Sequence, residues 1–500
     1  MQDFTEKIKD WYKKMITEAK KGKIGVLVAG HREYWGQFKG CREQLLKNAE
    51  NFEELIKRGG AELVTYTASD GTQMCDSPEK SYEAGVYFKS QDIDILILFL
   101  TTYVASGRYM QGVLASCAPV VVVGYQAPSN FEKRVMSEDI FWGSVCPVPE
   151  ACNALTRCGK PAVGVHTGEY YREPRFDERF EKEIYEWCRV AGALRSYKGA
   201  IFGHMGHSYE GMLDMNFDPT SFTGAFGIHI RMIEMCELAK YVKEATAEEI
   251  DEKLKEIKEK FILLGASHDS TTRDIKDGDL EWAARCSIGL DKLVKNNNLS
   301  GMAYYYEGLA NEYEKVAAGL IIGNSLLVSQ GISLAGESDM KTCVAMYTTS
   351  AIGAGGSFAE IIAMDKNEDI LLVGHDGPHD TRISNAKPTI RALELFHGKK
   401  GNGVSVEFSL KNGPITMLGL GVDANNKYTF IVAEGESRPG GIPQQGNTMT
   451  RGYFGPDVAA FFEEWSEAGN SHHYALSIGH NASTIKKLAK ALGIGFKQIR

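Results

Sequence analysis

The chain has 500 residues, 43% of them hydrophobic and 24% charged, with a formal net charge of −9. That length suggests about three domains, and the composition is that of a globular protein with sizeable cores. The negative charge disfavours a nucleic-acid polyanion as partner, and no apolar run is long enough to span a bilayer. The first stretch, MQDFTEKIKDWYKKMITEAKKGK, is charged and amphipathic without the apolar centre of a signal peptide, so a cytoplasmic protein is expected. The 10 cysteines form no CxxC pair, and the spacing of Cys146, Cys152 and Cys158 fits no common zinc pattern. They read as mostly buried, inert thiols in a reducing compartment.

Along the chain, KIGVLVAG (23–30) is a β-branched run ending in glycine, followed by a helical pattern from about 40 to 58. AELVTYTA, DIDILILFL (92–100) and APVVVVGY (118–125) add three buried strands with helical segments between them. This is a βαβ layout with a parallel sheet. Ligands approach such sheets at the carboxyl ends of the strands, which here carry GHREYWG, TTYVASGR and GYQAP. Arg32, Tyr34, Arg108 and Gln126 are therefore candidate substrate contacts. No GxGxxG follows the first strand, so a dinucleotide site has no support.

A second α/β region is expected from KPAVGVHTGEYY (160–171) to a boundary near Gln330, giving divisions at 1–160, 161–330 and 331–500. Its segment TAEEIDEKLKEIKEKF reads as a solvated helix laced with i,i+4 pairs. His204 and His207 of GHMGHSYEGMLDM could bind metal on a helix, but the glycines favour an interface or substrate-side loop, and Glu307 reads as structural or as a residue supporting the site from behind. Beyond about 400 the runs GVSVEFSL, PITMLGLGVD, KYTFIVAEGES and HHYALSIGH are short and separated by Gly, Asn and Asp. They predict antiparallel β-structure, a barrel or a sandwich. STIKKLAKALGI predicts a closing helix capped by serine or threonine.

The chemistry-bearing residues cluster late in the chain. Glu337 and Asp339 follow a glycine at a loop-to-helix junction in LAGESDMKT. Glu360 follows the glycine-rich turn AIGAGGSF, and His375 ends the apolar run DILLVGH. His472 and His473 stand side by side at the start of an alternating run. Neighbours on a strand face opposite sides, so one of the pair is expected to carry the chemistry. Two carboxylates and two imidazoles on separate elements can converge on one divalent ion, and mixed N/O ligands suit Mn²⁺, Co²⁺ or Fe²⁺ better than Mg²⁺. On the residues alone, the alternative that each is a cap or a surface group stays open.

GESDMKT resembles the GEGDWKT motif of L-arabinose isomerases, SFAE their SFME, LLVGH their LVLGSH, and HHYALSIGH their HHTVFSHA, in the same order and at nearly the same intervals. Chain length and layout also fit this family and the related L-fucose isomerases. The resemblance implies two Rossmann-like α/β domains and a C-terminal antiparallel β-barrel, assembled as a homohexamer with active sites at subunit boundaries. It implies Mn²⁺ held by Glu337, Glu360, His375 and His473, with Glu337 and Glu360 also the acid/base pair. The implied reaction interconverts an aldose and a ketose through a cis-enediol. A lysine-assisted hydride shift has the weaker claim, and Lys341 reads as a helix-face or ion-pair residue.

The chain departs from that family where substrate is contacted. GSQHLYG becomes GHREYWG, HTFSPA becomes TTYVAS, LHTQFN becomes GYQAPS, and the histidine-bearing NLNQSAHGDREFG is replaced around FWGSVCPVPEACNAL. The expected substrate is accordingly a pentose, a deoxyhexose or a substituted, charged hexose. Arg32 and Arg108 either meet a charged substituent or pair with nearby acids such as Glu33. The polar, glycine-rich stretch Glu436–Gly452 adds Arg438, Asn447 and Arg451 as candidate substrate contacts, with His472 beside them. Two other classes compete with the isomerase: a non-catalytic sugar-binding protein, and a metal-dependent hydrolase or aldolase.

Overall fold

A computed structural model describes residues 20–128, 131–133, 135–171, 175–309, 311–394 and 403–499. Most of the amphipathic amino-terminal segment lies outside the described residues. The chain divides into two compact units, 1–196 and 197–500.

The first unit is built on β1 (Lys23–Ala29), β2 (Glu62–Val64), β3 (Met74–Cys75), β4 (Ile95–Leu100), β5 (Val120–Gln126) and β6 (Gly164–Glu169). All pair in parallel, in the order β2-β1-β4-β5-β6, with β3 also on β1. The continuous apolar runs of β4 and β5 are buried on both faces, as a sheet covered by helices requires. One covering helix, Pro78–Ser90, starts cleanly because the Ser77 hydroxyl accepts the Lys80 N–H and proline occupies the first turn. The strand β6, read from the sequence as opening the second region, joins this first sheet beside β5. Glycine at 164 suits that position, since a Cβ there would stand 2.4 Å from the Trp187 ring.

The second unit opens with β7 (Ile201–Gly206) and β8 (His229–Ile233), then the short β9 (Ile262–Leu263) and β10 (Thr272–Arg273), then β11 (Gly301–Tyr305) and β12 (Ser333–Ala335). Four of these form a parallel sheet in the order β12-β11-β7-β8. The segment read as a solvated helix is the helix Ala247–Lys260, and it begins with a capping box between Thr246 and Glu249.

The rest is mostly antiparallel: β13 (Ser357–Asp365), β14 (Ile370–His375), β15 (Thr389–Leu393), β16 (Val404–Glu407), β17 (Gly413–Val422), β18 (Tyr428–Arg438), β19 (Thr448–Tyr453), β20 (Tyr474–Ile478) and β21 (Gly495–Ile499). Seven strands form a sheet in the order β17-β20-β13-β14-β19-β18-β21, and β17 pairs with β18 as well. β15 and β16 form a separate small sheet with β9 and β10. The chain is thus a mixed α/β protein with parallel sheets and a mostly antiparallel C-terminal sheet.

Two local expectations change. The closing helix spans Ala482–Leu492 and is preceded by Asn481, whose side chain makes no cap bond. The Ala482 N–H is taken instead by the Glu434 carboxylate at 2.7 Å, which makes a serine or threonine cap unnecessary. The loop in the stretch 436–452 is confined to 439–447, because β18 runs to Arg438 and β19 starts at Thr448. Among the described residues no helix is long and apolar enough to cross a membrane.

Candidate metal centre

The first carboxylate sits on a strained turn. β12 ends at Ala335, and Glu337 and Ser338 follow with φ of 56° and 64°, both left-handed and neither glycine. Such residues cost about 1–3 kcal/mol each and persist where the surroundings over-determine them. Here the Ser338 N–H donates to the Tyr304 carbonyl at 2.9 Å, and its hydroxyl pairs with His204 Nε2 at 2.7 Å. Asp339 then starts the helix Met340–Ala351, accepting the Thr342 N–H at 3.0 Å and its hydroxyl at 2.8 Å.

Sheet register gathers the other three. Glu360 lies opposite Gly374 of β14, and its neighbour Ala359 lies opposite Tyr474, the first residue of β20. His375 is the last residue of β14 and His473 immediately precedes β20, so both rings reach the end of β13 that carries Glu360. His375 Nε2 is 3.9 Å from Glu360 Oε1, and His473 Nε2 is 3.8 Å from Glu337 Oε2. Phe358 packs against both imidazoles, with centroids 4.7 and 4.3 Å away. Two triads result, Glu360–His375–His473 and Glu337–His472–His473, each offering one atom per residue within 4.8 Å of the others. Donors about 2.1 Å from one ion stand roughly 3–4 Å apart, which is the spacing of the Glu360–His375 and Glu337–His473 pairs.

Further acids orient the rings. Asp339 Oδ2 is 3.2 Å from His473 Nδ1, and both side chains are fully buried. A carboxylate here accepts only, so Nδ1 carries the hydrogen and Nε2 turns its lone pair toward Glu337. Asp376 Oδ1 is 2.7 Å from His375 Nδ1 and forms an ion pair with it when the ring is protonated. His379 Nε2 meets the His375 carbonyl oxygen at 2.8 Å, and burial pushes His379 down to about 3, so it is a neutral donor there. Burial likewise pushes His473 down, with Asp339 offsetting only part of this, which keeps it neutral and competent as a ligand. At His375 burial is outweighed, chiefly by Asp376, and the ring is shifted up. At Asp339 burial is outweighed by Lys341 and His473, which hold the carboxyl below its usual range.

The decisive feature is a pair of orphans. Glu337 Oε2 and His473 Nε2 are buried atoms that face each other without a hydrogen-bond partner. Two unsatisfied acceptors at this distance are costly unless a cation lies between them. The residues present therefore fit a divalent ion.

The paired histidines do not behave as strand neighbours. The strand begins at Tyr474, His472 lies at a bend before it, and the two rings pack side by side with centroids 3.8 Å apart. The opposite-face rule fails because the backbone is not yet extended. His472 instead accompanies His473 toward Glu337, with its Nδ1 2.7 Å and its backbone N–H 3.0 Å from Asp214 Oδ2. Sequence reasoning missed Asp214 and Asp376. Asp376 was legible only as the residue after His375, whereas Asp214 lies 258 positions from its partner. Lys341 is no helix-face residue: it is 1% exposed and donates to the backbone carbonyls of Asp214 and Asn216. His204 lies on β7 against Ser338, His207 packs against the rings of Tyr305 and Tyr306, and Glu307 accepts from the Tyr305 hydroxyl.

The remaining candidates have other partners. In the first unit Arg32 lies 3.7 Å from Asp76, and Arg108 pairs with Glu33. Tyr34 packs edge-on against His31 at 4.5 Å, and Gln126 is the last residue of β5. In the second unit Thr448 lies opposite His375, and Asn447 directly precedes it in the chain. Arg451 is an odd number of residues further along β19, so it faces the other side of the sheet, where it pairs with Glu368. Arg438 lies opposite Arg451 and stacks over Tyr453 at 3.4 Å. Neither arginine joins the carboxylate–imidazole cluster.

A parallel sheet ending in one carboxylate and an antiparallel sheet supplying a second carboxylate and two imidazoles together present a mixed N/O donor set that fits a divalent ion. The model of the L-arabinose isomerase central domain matches residues 218–355, and that of the C-terminal domain matches 355–495, together more than half of the chain. The chain belongs to the L-arabinose isomerase-like family. It is 23% identical over 328 residues to an L-arabinose isomerase of Aeromonas hydrophila and 24% identical over 337 residues to one of Herpetosiphon aurantiacus. It is 24% identical over 328 residues to one of Thermotoga maritima. The matches span 64%, 65% and 64% of this chain and 64% of the length of each relative.

Proposed function

We propose that the chain is an aldose–ketose isomerase of carbohydrate metabolism, acting on a pentose, a deoxyhexose or a substituted or charged hexose. Glu337, Glu360, His375 and His473 hold Mn²⁺ in this reading, with Co²⁺, Fe²⁺ or Mg²⁺ as alternatives. The observation that carries it is the facing pair of unsatisfied buried atoms, Glu337 Oε2 and His473 Nε2. A bound divalent ion supplies Lewis acidity toward the C1 and C2 oxygens of the sugar.

The protein's own groups move the proton. One of Glu337 and Glu360 takes the hydrogen of C2 as a proton while O1 gains one, leaving a cis-enediol. A carboxylic acid then returns a proton to C1 as the C2 hydroxyl gives up its own and becomes the ketone. His472 borders this centre, and it and Asn447 are read as contacts to the sugar hydroxyls. Arg32 and Arg108 already have acidic neighbours, which favours neutral sugars over charged ones. The pairing of β17 with β18 supports reading β17, β20, β13, β14, β19 and β18 as a barrel. A cytoplasmic homohexamer is proposed from family likeness.

The test is a panel of neutral and charged aldoses incubated with Mn²⁺ and assayed for ketose. The wild type should convert at least one. Glu337→Gln should lose at least about a hundredfold in rate, the scale of one acid–base group. An active Glu337→Gln variant contradicts the assignment.

A further inference from the structure

Resting on that reading, one cluster at the rim of the centre has a role of its own. His473 is fully buried, whereas the His472 side chain is 34% exposed and lies within the triad that includes Glu337. A single oxygen, Asp214 Oδ2, takes both the backbone N–H of His472 at 3.0 Å and its ring Nδ1 at 2.7 Å. Held this way, the ring cannot rotate freely, and its other nitrogen keeps a lone pair that can accept from a hydroxyl.

Asp214 is itself anchored. It lies in the short helical turn Leu213–Met215, and its carbonyl oxygen accepts from the Ser471 hydroxyl at 3.2 Å and from Lys341 Nζ. Lys341 also reaches the Asn216 carbonyl at 3.3 Å. This almost fully buried ammonium, balanced by the charge of Asp339, devotes its hydrogen bonds to two carbonyls of one loop. It belongs to the helix that starts at the Glu337 turn, so one helix start fixes both the first carboxylate and the loop bearing Asp214.

We propose that Asp214 and Lys341 are positioning residues that hold His472 as a hydrogen-bond acceptor for a hydroxyl of the sugar chain beside Glu337. They set how the open-chain sugar lies and are not needed to hold the metal.

The experiment compares the full-length wild type with Asp214→Ala, Asp214→Asn and His472→Asn. Three quantities are read: the Kd for Mn²⁺ without sugar, the Kd for L-arabinitol with Mn²⁺ present, and the ¹⁵N shifts of the His472 ring. L-arabinitol is an open-chain polyol that cannot isomerise, so this readout does not need turnover. Asp214→Ala should weaken L-arabinitol about tenfold, the scale of a hydrogen bond held by a charged partner. Mn²⁺ affinity should stay within about twofold, and the shift pattern of an Nδ1-protonated ring should be lost. Asp214→Asn should recover part of the polyol affinity, and adding His472→Asn to Asp214→Ala should cost little more. Unchanged polyol affinity, or Mn²⁺ affinity lost in parallel, overturns the proposal. Where an aldose turns over, KM should rise with little change in kcat, and a fall in kcat alone overturns it too. A wild type that converts no aldose contradicts the isomerase reading, while the polyol and ¹⁵N results separately decide the role of Asp214.

Discussion

Replacing Asp339 by asparagine probes the centre without touching a ligand. Asp339 serves two partners from a fully buried position: Thr342, whose N–H and hydroxyl it accepts at 3.0 and 2.8 Å, and His473 Nδ1 at 3.2 Å. Oδ2 takes both the Thr342 hydroxyl and His473, so an amide NH₂ there meets donors, while an amide oxygen there leaves NH₂ facing the Thr342 N–H. Asparagine remains a good helix cap in general, so loss at the helix start is held to about 1 kcal/mol. The imidazole suffers more, because a neutral amide holds the hydrogen on Nδ1 and the lone pair on Nε2 less firmly than a carboxylate. Loss of such an orienting carboxylate costs 10–100-fold in metal affinity as a rule, about 1.4–2.7 kcal/mol. Titration calorimetry with Mn²⁺ reads this directly, and thermal unfolding of the metal-free protein reads the cap. Mn²⁺ affinity within twofold of wild type would refute the orienting role.

Other expectations follow from the same structure. Glu337→Gly removes both a left-handed side chain and an unsatisfied buried oxygen, so the metal-free protein should gain about 1 kcal/mol while Mn²⁺ binding is lost; a less stable variant contradicts the strain argument. Glu53 is 6% exposed, and burial pushes its carboxyl up to about 7 from 4.5. The unfolded chain therefore releases that proton at lower pH than the folded one, and stability falls as pH rises from 4.5 through 7. Glu53→Gln should match wild type near pH 4 and exceed it by about 2 kcal/mol at pH 8, and parallel urea-unfolding profiles would count against it. Thr246→Ala breaks the capping box with Glu249 and should cost about 1 kcal/mol, with no effect on Mn²⁺ affinity. Gly356→Ala would put a Cβ 2.4 Å from the Thr349 hydroxyl and 3.2 Å from the Met346 carbonyl oxygen, and should destabilise by about 1–3 kcal/mol in the same assay.

Much of the arrangement was legible because it is local. Buried strands such as Ile95–Leu100 declare themselves by continuous apolar runs, and the helix 247–260 by its charge spacing. Glu337, Glu360, His375 and His473 could be singled out because each lies in a short local motif, three of them at or beside the end of an element and Glu360 within β13. What could not be read depends on pairing across the chain. Nothing near Gly164 announces that β6 sits beside β5, since an exposed edge strand carries no long apolar run. Asp214 reaches His472 only after two elements from different sheets meet. The opposite-face argument for the two histidines assumed a strand that starts two residues later, at Tyr474. Arg438 and Arg451 looked available because their acid partners, Glu436 and Glu368, become neighbours only through strand geometry.

The most direct test of the whole account is isotopic. The Mn²⁺-loaded protein is incubated in D₂O with the aldose it converts best, and the ketose is analysed by mass spectrometry. Proton transfer through an enediol between Glu337 and Glu360 predicts solvent deuterium at C1 of the ketose. Efficient conversion with no deuterium incorporated would contradict it and point to direct hydride transfer between C2 and C1.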